Sequence, residues 1–117
     1  MKYGSPEHHA HIRSARWRWL VEERKSKVGH KCEVCGFRKY LQGHHVTYER
    51  LGCERIGDIR IVCRACHWRI TQLHRSGWPI PKATRYVIRT TKRRIKWKRR
   101  WQRIKRRQLR TLFGSNP

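Results

Sequence analysis

Two cysteine pairs and three histidines lie in one stretch of the chain, from Cys32 to His67. Cys32/Cys35 and Cys63/Cys66 each have the spacing Cys-x-x-Cys, His44 and His45 stand side by side between them, and His67 follows the second pair directly. Two such thiolate pairs close a tetrahedral site for a structural zinc. That zinc would hold the intervening imidazoles at fixed distances. A second divalent metal between His44 and His67 would face the positive end of the helix expected after Cys63, a place that also favours phosphate. Neighbouring strand residues point to opposite faces, which leaves His45 to take a proton from water near neutral pH. Ordinary packing, or extra ligation of the zinc, is the other use open to these histidines.

The elements that must position these groups are short. Residues 10–28 carry a helical pattern, with Ile12, Ala15, Trp19 and Leu20 near one face and Gly29 as its stop. Residues 1–9 lack periodicity and read as a flexible start, its histidines (His8, His9, and His11 just beyond) solvated. A knuckle at Cys32–Cys35 leads to a strand over 40–46. A loop over 48–57 leads to a second strand at 59–62, and a helix runs from Arg64 to about His74. The sequence SGWPIP makes 76–83 a linker. From Thr84, a candidate N-cap, helix formers continue to Phe113 before Gly114. The chain thus divides into a start (1–9), a helix (10–29), a zinc-held module (30–75), a linker (76–83) and a basic arm (84–117).

Composition narrows the partners. The 117 residues carry 31 Lys+Arg against 7 Asp+Glu, a formal charge of +24, and no acidic residue follows Asp58. Self-repulsion of this size is relieved by phosphates, which points to nucleic acid. No run approaches the ~20 apolar residues of a membrane span. Five cysteines with no secretory segment read as metal ligands, with Cys53 left over as a partly buried small apolar residue.

The stretch CEVCGFRKYLQGHHVTYERLGCERIGDIRIVCRACHWRI resembles the HNH endonucleases. The shared features are both thiol pairs, a strand ending in a His pair, and a loop with Thr47-Tyr48, Gly52, Glu54 and Asp58-Ile59. They cover residues 32 to about 71, a third of the chain. The resemblance implies an α+β fold: a ββα-metal module, flanked here by an N-terminal helix and a long basic C-terminal helix. It also implies metal-dependent hydrolysis of DNA phosphodiester bonds, as a nick or a double-strand break. In that scheme His44 and His67 hold one catalytic divalent ion, His45 is the general base, Asp58 braces the loop, and Glu54 stabilises it. The ion is Mg²⁺, Mn²⁺, Ni²⁺ or Zn²⁺. Thr71 stands where many members carry His or Lys. The setting implied is a phage, mobile element or bacterium, in the cytoplasm of a bacterial or phage-infected cell.

The resemblance ends near residue 75. Between Lys82 and Arg110, 15 of 29 residues are Lys or Arg. Arg89, Lys92, Arg93, Lys96, Arg99, Arg100, Arg103, Arg106 and Arg107 are the expected phosphate contacts, to DNA or to RNA. Trp97, Trp101, Ile104 and Leu112 form a narrow apolar stripe, in which Trp97 and Trp101 are expected to pack rather than to serve as base-stacking platforms. Two further organisations fit the same charge. One is a non-catalytic zinc-ribbon scaffold of a ribonucleoprotein or other complex; the other is a nuclease subunit of a larger nucleoprotein assembly.

Overall fold

The computed structural model describes residue 2 and residues 4–114. Residues 1, 3 and 115–117, the outer ends of the expected flexible start and basic arm, lie outside them. The fold is α+β. In chain order it has α1 (Pro6–Ile12), α2 (Ala15–Val28), β1 (Leu41–His45), a 3-10 turn (Ile56–Asp58), β2 (Ile59–Cys63), α3 (Arg64–Arg75) and α4 (Ile80–Phe113). Among the described residues no helix is long and apolar enough to cross a membrane.

The N-terminal region departs from the sequence reading. Helix begins at Pro6 within the expected flexible start, because Ser5 caps it by accepting from His8 N–H at 3.1 Å and Pro6 supplies a helix-compatible φ. The single helix expected over 10–28 is broken at Arg13-Ser14. Ser14 caps α2 by accepting from Trp17 N–H at 3.2 Å. The break re-phases the apolar face: Trp17 and Leu20 are buried, whereas Ile12 and Trp19 are exposed. Gly29 closes α2 in the left-handed region, as expected, with φ at 79°.

β1 and β2 pair antiparallel, with Leu41 opposite Cys63 and His45 opposite Ile59. Helices cover both faces of this ribbon. Trp17, Leu20 and Val21 of α2 pack with Ile59 on one side. On the other, Val34, Val62 and Ile70 pack with Ile80, Ala83 and Val87 of α4. Gly43 is required at the first interface, since a Cβ there would lie 2.5 Å from Val21 Cγ2 and 3.0 Å from Trp17 Cζ2.

The link between module and arm also differs from expectation. α4 starts at Ile80, four residues before Thr84, so Thr84 is buried inside the helix and is not its N-cap. The first turns of α4 belong to the core of the module. This is the physical answer to a segment too small to enclose its own apolar interior. Beyond Thr91 every described residue of the chain is exposed except the half-buried Ile95. Trp97, Trp101, Ile104 and Leu112 are therefore exposed rather than packed in a core, with Arg100 over the Trp97 ring and Lys105 over the Trp101 ring. Cys53 is exposed on its loop rather than partly buried.

Candidate metal centre and histidine sites

Cys32, Cys35, Cys63 and Cys66 converge so that their sulfurs all lie within 4.8 Å of one another. Cys35 Sγ and Cys63 Sγ are 3.7 Å apart. Ligand bonds of about 2.3 Å in a tetrahedron place sulfurs about 3.8 Å apart, so the donor set fits a structural zinc. Local structure explains the convergence. Gly36 N–H bonds Cys32 C=O at 2.9 Å and Cys32 N–H bonds Phe37 C=O at 2.7 Å, which folds the knuckle. β2 ends at Cys63, and Cys66 sits on the first turn of α3. The knuckle is pinned by Glu33, whose carboxylate accepts the Arg24 guanidinium (Nη2 at 2.6 Å) and Ile61 N–H at 2.7 Å.

Burial works against a thiolate at Cys32, but the N–H groups of Cys35, Cys63 and Val34 outweigh it and bring its pKa below the ordinary value. Burial, reinforced by the charge at Cys32, pushes the Cys66 thiol up. Four thiolates crowded together repel, and a bound cation relieves that repulsion.

His44 and His45 diverge as strand geometry requires. His44 turns toward α3 and α4. Its Nε2 lies 2.9 Å from Thr84 Oγ1, and its ring centroid is 5.4 Å from that of His67 at 72°. The Thr84 hydroxyl donates its own proton to Ile80 C=O at 2.8 Å. His44 Nε2 must then be the donor in its bond to Thr84, which leaves the lone pair on Nδ1. Burial, with His67, His45 and His74 nearby, drives the His44 pKa down to about 3. Burial also lowers the pKa of His67. Both rings are thus neutral at pH 7, the form in which imidazole binds metals.

His45 turns the other way. Its ring stacks on Trp17 with centroids 4.5 Å apart and planes 12° from parallel. Its Nε2 is 3.0 Å from Glu54 Oε2, and the residue is 7% exposed. Glu54 is buried too, and also meets His11 Nε2 at 2.6 Å and Gly52 N–H at 2.5 Å. Burial raises the Glu54 carboxyl, but hydrogen bonds from His11 and His45 outweigh it and hold its pKa below the usual range. Asp58 accepts a two-pronged bond from Arg50 and a third from Arg55 N–H at 2.9 Å. Those bonds tie the 50s loop to the start of β2, and Arg50 holds the Asp58 pKa down.

His44 and His67 are therefore brought together, while His45 and Asp58 lie in separate hydrogen-bond networks. Among the described residues the four cysteines are the group placed to hold a metal ion, whereas His44 and His67 form a two-imidazole pair. Thr84, His11 and Trp17 are contacts that sequence reasoning missed. His8 and His11, expected to be solvated, are instead buried on α1, and their 3-residue spacing is the pattern that signals an inward-facing histidine edge, while His9 is exposed.

The nine expected phosphate contacts on α4 are all exposed. At 3.6 residues per turn they share an arc of about 140°. The buried residues Ile80, Ala83, Thr84, Val87 and Thr91 occupy the opposite side, so this basic face points away from the core. No protein-family model, curated protein or solved structure matches this chain.

Proposed function

We propose that this chain is a metal-dependent endonuclease of the HNH type acting on DNA. The observation that carries the reading is the division of labour at the end of β1. His44 pairs with His67 on one side of the ribbon, while His45 is held by a carboxylate on the other. In this reading the four cysteines hold a structural zinc, and His44 and His67 offer neutral imidazoles to one divalent ion. Such an ion supplies charge stabilisation at a scissile phosphate. The chain's own part is threefold. Thr84 orients His44, His45 takes the proton of the attacking water, and the basic face of α4 holds the phosphate backbone.

Supercoiled-plasmid cleavage with and without Mg²⁺ or Mn²⁺ tests this, comparing wild type with His45→Ala at matched zinc content and DNA binding. Metal-dependent cleavage lost in the variant supports both the activity and the base. Cleavage that survives the substitution removes His45 from that role.

The burial of His44 and His45, at 3% and 7% exposure, favours a second reading. Here the protein is a zinc-stabilised nucleic-acid scaffold, alone or as a subunit of a larger nucleoprotein assembly, in which the histidines are structural. Tight binding with no cleavage under any divalent ion favours the scaffold.

A further inference from the structure

Three residues far apart in the chain meet at one buried oxygen. His11 from α1 and His45 from β1 place their Nε2 atoms 2.6 Å and 3.0 Å from the same Glu54 Oε2, while Glu54 Oε1 accepts Gly52 N–H. Glu54 belongs to the loop before β2. Arg16 of α2 clamps that loop by donating to Glu54 C=O at 3.1 Å. An ionised carboxylate only accepts hydrogen bonds. Two imidazole nitrogens within bonding distance of one carboxylate oxygen must therefore both carry hydrogen. This fixes the proton of neutral His45 on Nε2. The ring has little freedom to turn over, because Trp17 lies parallel to it at 4.5 Å.

We propose that His11 is a positioning residue for His45: through Glu54 it holds the His45 ring with Nε2 protonated, so that Nδ1 is the nitrogen offered to a reacting water. The proposal deepens the nuclease reading and rests on it for the reaction, but its structural half stands without any cleavage. His11 steadies the same carboxylate oxygen that His45 meets. Without that bond Glu54 Oε2 can swing, and His45 is released to its other tautomer. Outer partners that orient a metal's ligands typically change activity by about 10- to 100-fold when removed, and an effect of the same size is expected for a partner that orients His45.

The test uses the full zinc-loaded chain, with long-range ¹H–¹⁵N spectra of the imidazoles beside plasmid-cleavage kinetics. It compares wild type, His11→Gln, whose amide can still donate to Glu54, and His11→Leu, which cannot. Wild type and His11→Gln are expected to show His45 protonated on Nε2 and similar cleavage. His11→Leu is expected to show mixed tautomers and a kcat at least about tenfold lower, with KM little changed. Should His11→Leu lose its fold or zinc, His11→Asn, whose shorter amide falls short of Glu54, replaces it. A wild-type His45 protonated on Nδ1, or a tautomer indifferent to loss of the His11 donor, overturns the proposal. If no protein cleaves DNA but the tautomer shifts as described, the positioning holds and the nuclease reading is what fails.

Discussion

Thr84 of α4 reaches across to His44 of β1, placing a hydroxyl oxygen 2.9 Å from a buried imidazole nitrogen. Thr84→Val keeps the shape and removes the oxygen, stranding His44 Nε2 without a partner. Such a loss costs about 1–3 kcal/mol, so thermal unfolding should fall by several degrees while Thr84→Ser stays near wild type. On the nuclease reading, metal-supported cleavage should fall further than stability alone explains, because the ring is no longer oriented. A Thr84→Val protein with unchanged stability and activity would show that the bond has no role.

If the four cysteines hold a structural zinc, removing it should unfold the module. Binding energies on the order of 10–16 kcal/mol are typical of small zinc-held domains, more than a core of this size can replace. A strong chelator, or Cys63→Ala, should abolish the near-ultraviolet signal of buried Trp17. Elemental analysis should find one zinc per chain in wild type. A chelated protein that kept its tertiary signal would refute the assignment.

The exposed cations of α4 should make nucleic-acid affinity strongly salt-dependent. If ~8 phosphates are contacted, log K falls with log salt at a slope near −7 on duplex DNA. Replacing Arg99, Arg103 and Arg106 together by Ala should reduce that slope by about 3, almost equally for unrelated sequences. An unchanged slope, measured by fluorescence anisotropy, would move the contact surface off this face.

Acid should selectively remove what Asp58 contributes. Its carboxyl pKa is lowered in the fold, first by the Arg50 hydrogen bond. The unfolded chain therefore binds the proton more readily than the folded one. That stability is fully present above the unfolded pKa of about 3.9 and is lost as pH falls through the lower folded value. The gap in urea stability between wild type and Asp58→Asn should be constant from pH 7 to 5 and narrow below about pH 4. A gap already closing near pH 6 would point to a different group.

Local signals in the sequence carried the thiol pairs, the ends of β2 and α3, and the glycines that stop α2 and α4. All of these depend on spacing or on one residue's backbone preference. What was not legible depends on tertiary partners. Thr84 has the chemistry of an N-cap, but Ile80 packs against the module and draws the helix start back to it. Ser14 looks like one more polar residue on a helix, yet as a cap it re-phases Trp17 onto His45. The divergence of His44 and His45 was readable from the strand period. Their partners Thr84 and Glu54 lie 40 and 9 residues away, where no periodicity reaches.

α4 runs unbroken from the core through the basic arm. At about 1.5 Å per residue, Thr84 and Arg107 stand about 35 Å apart, close to one turn of duplex DNA. The chain thus contains a ruler. Whatever Arg107 grips is held at a set distance from the bond between Thr84 and His44, and that distance is measured in helical rise rather than left to a loose tether.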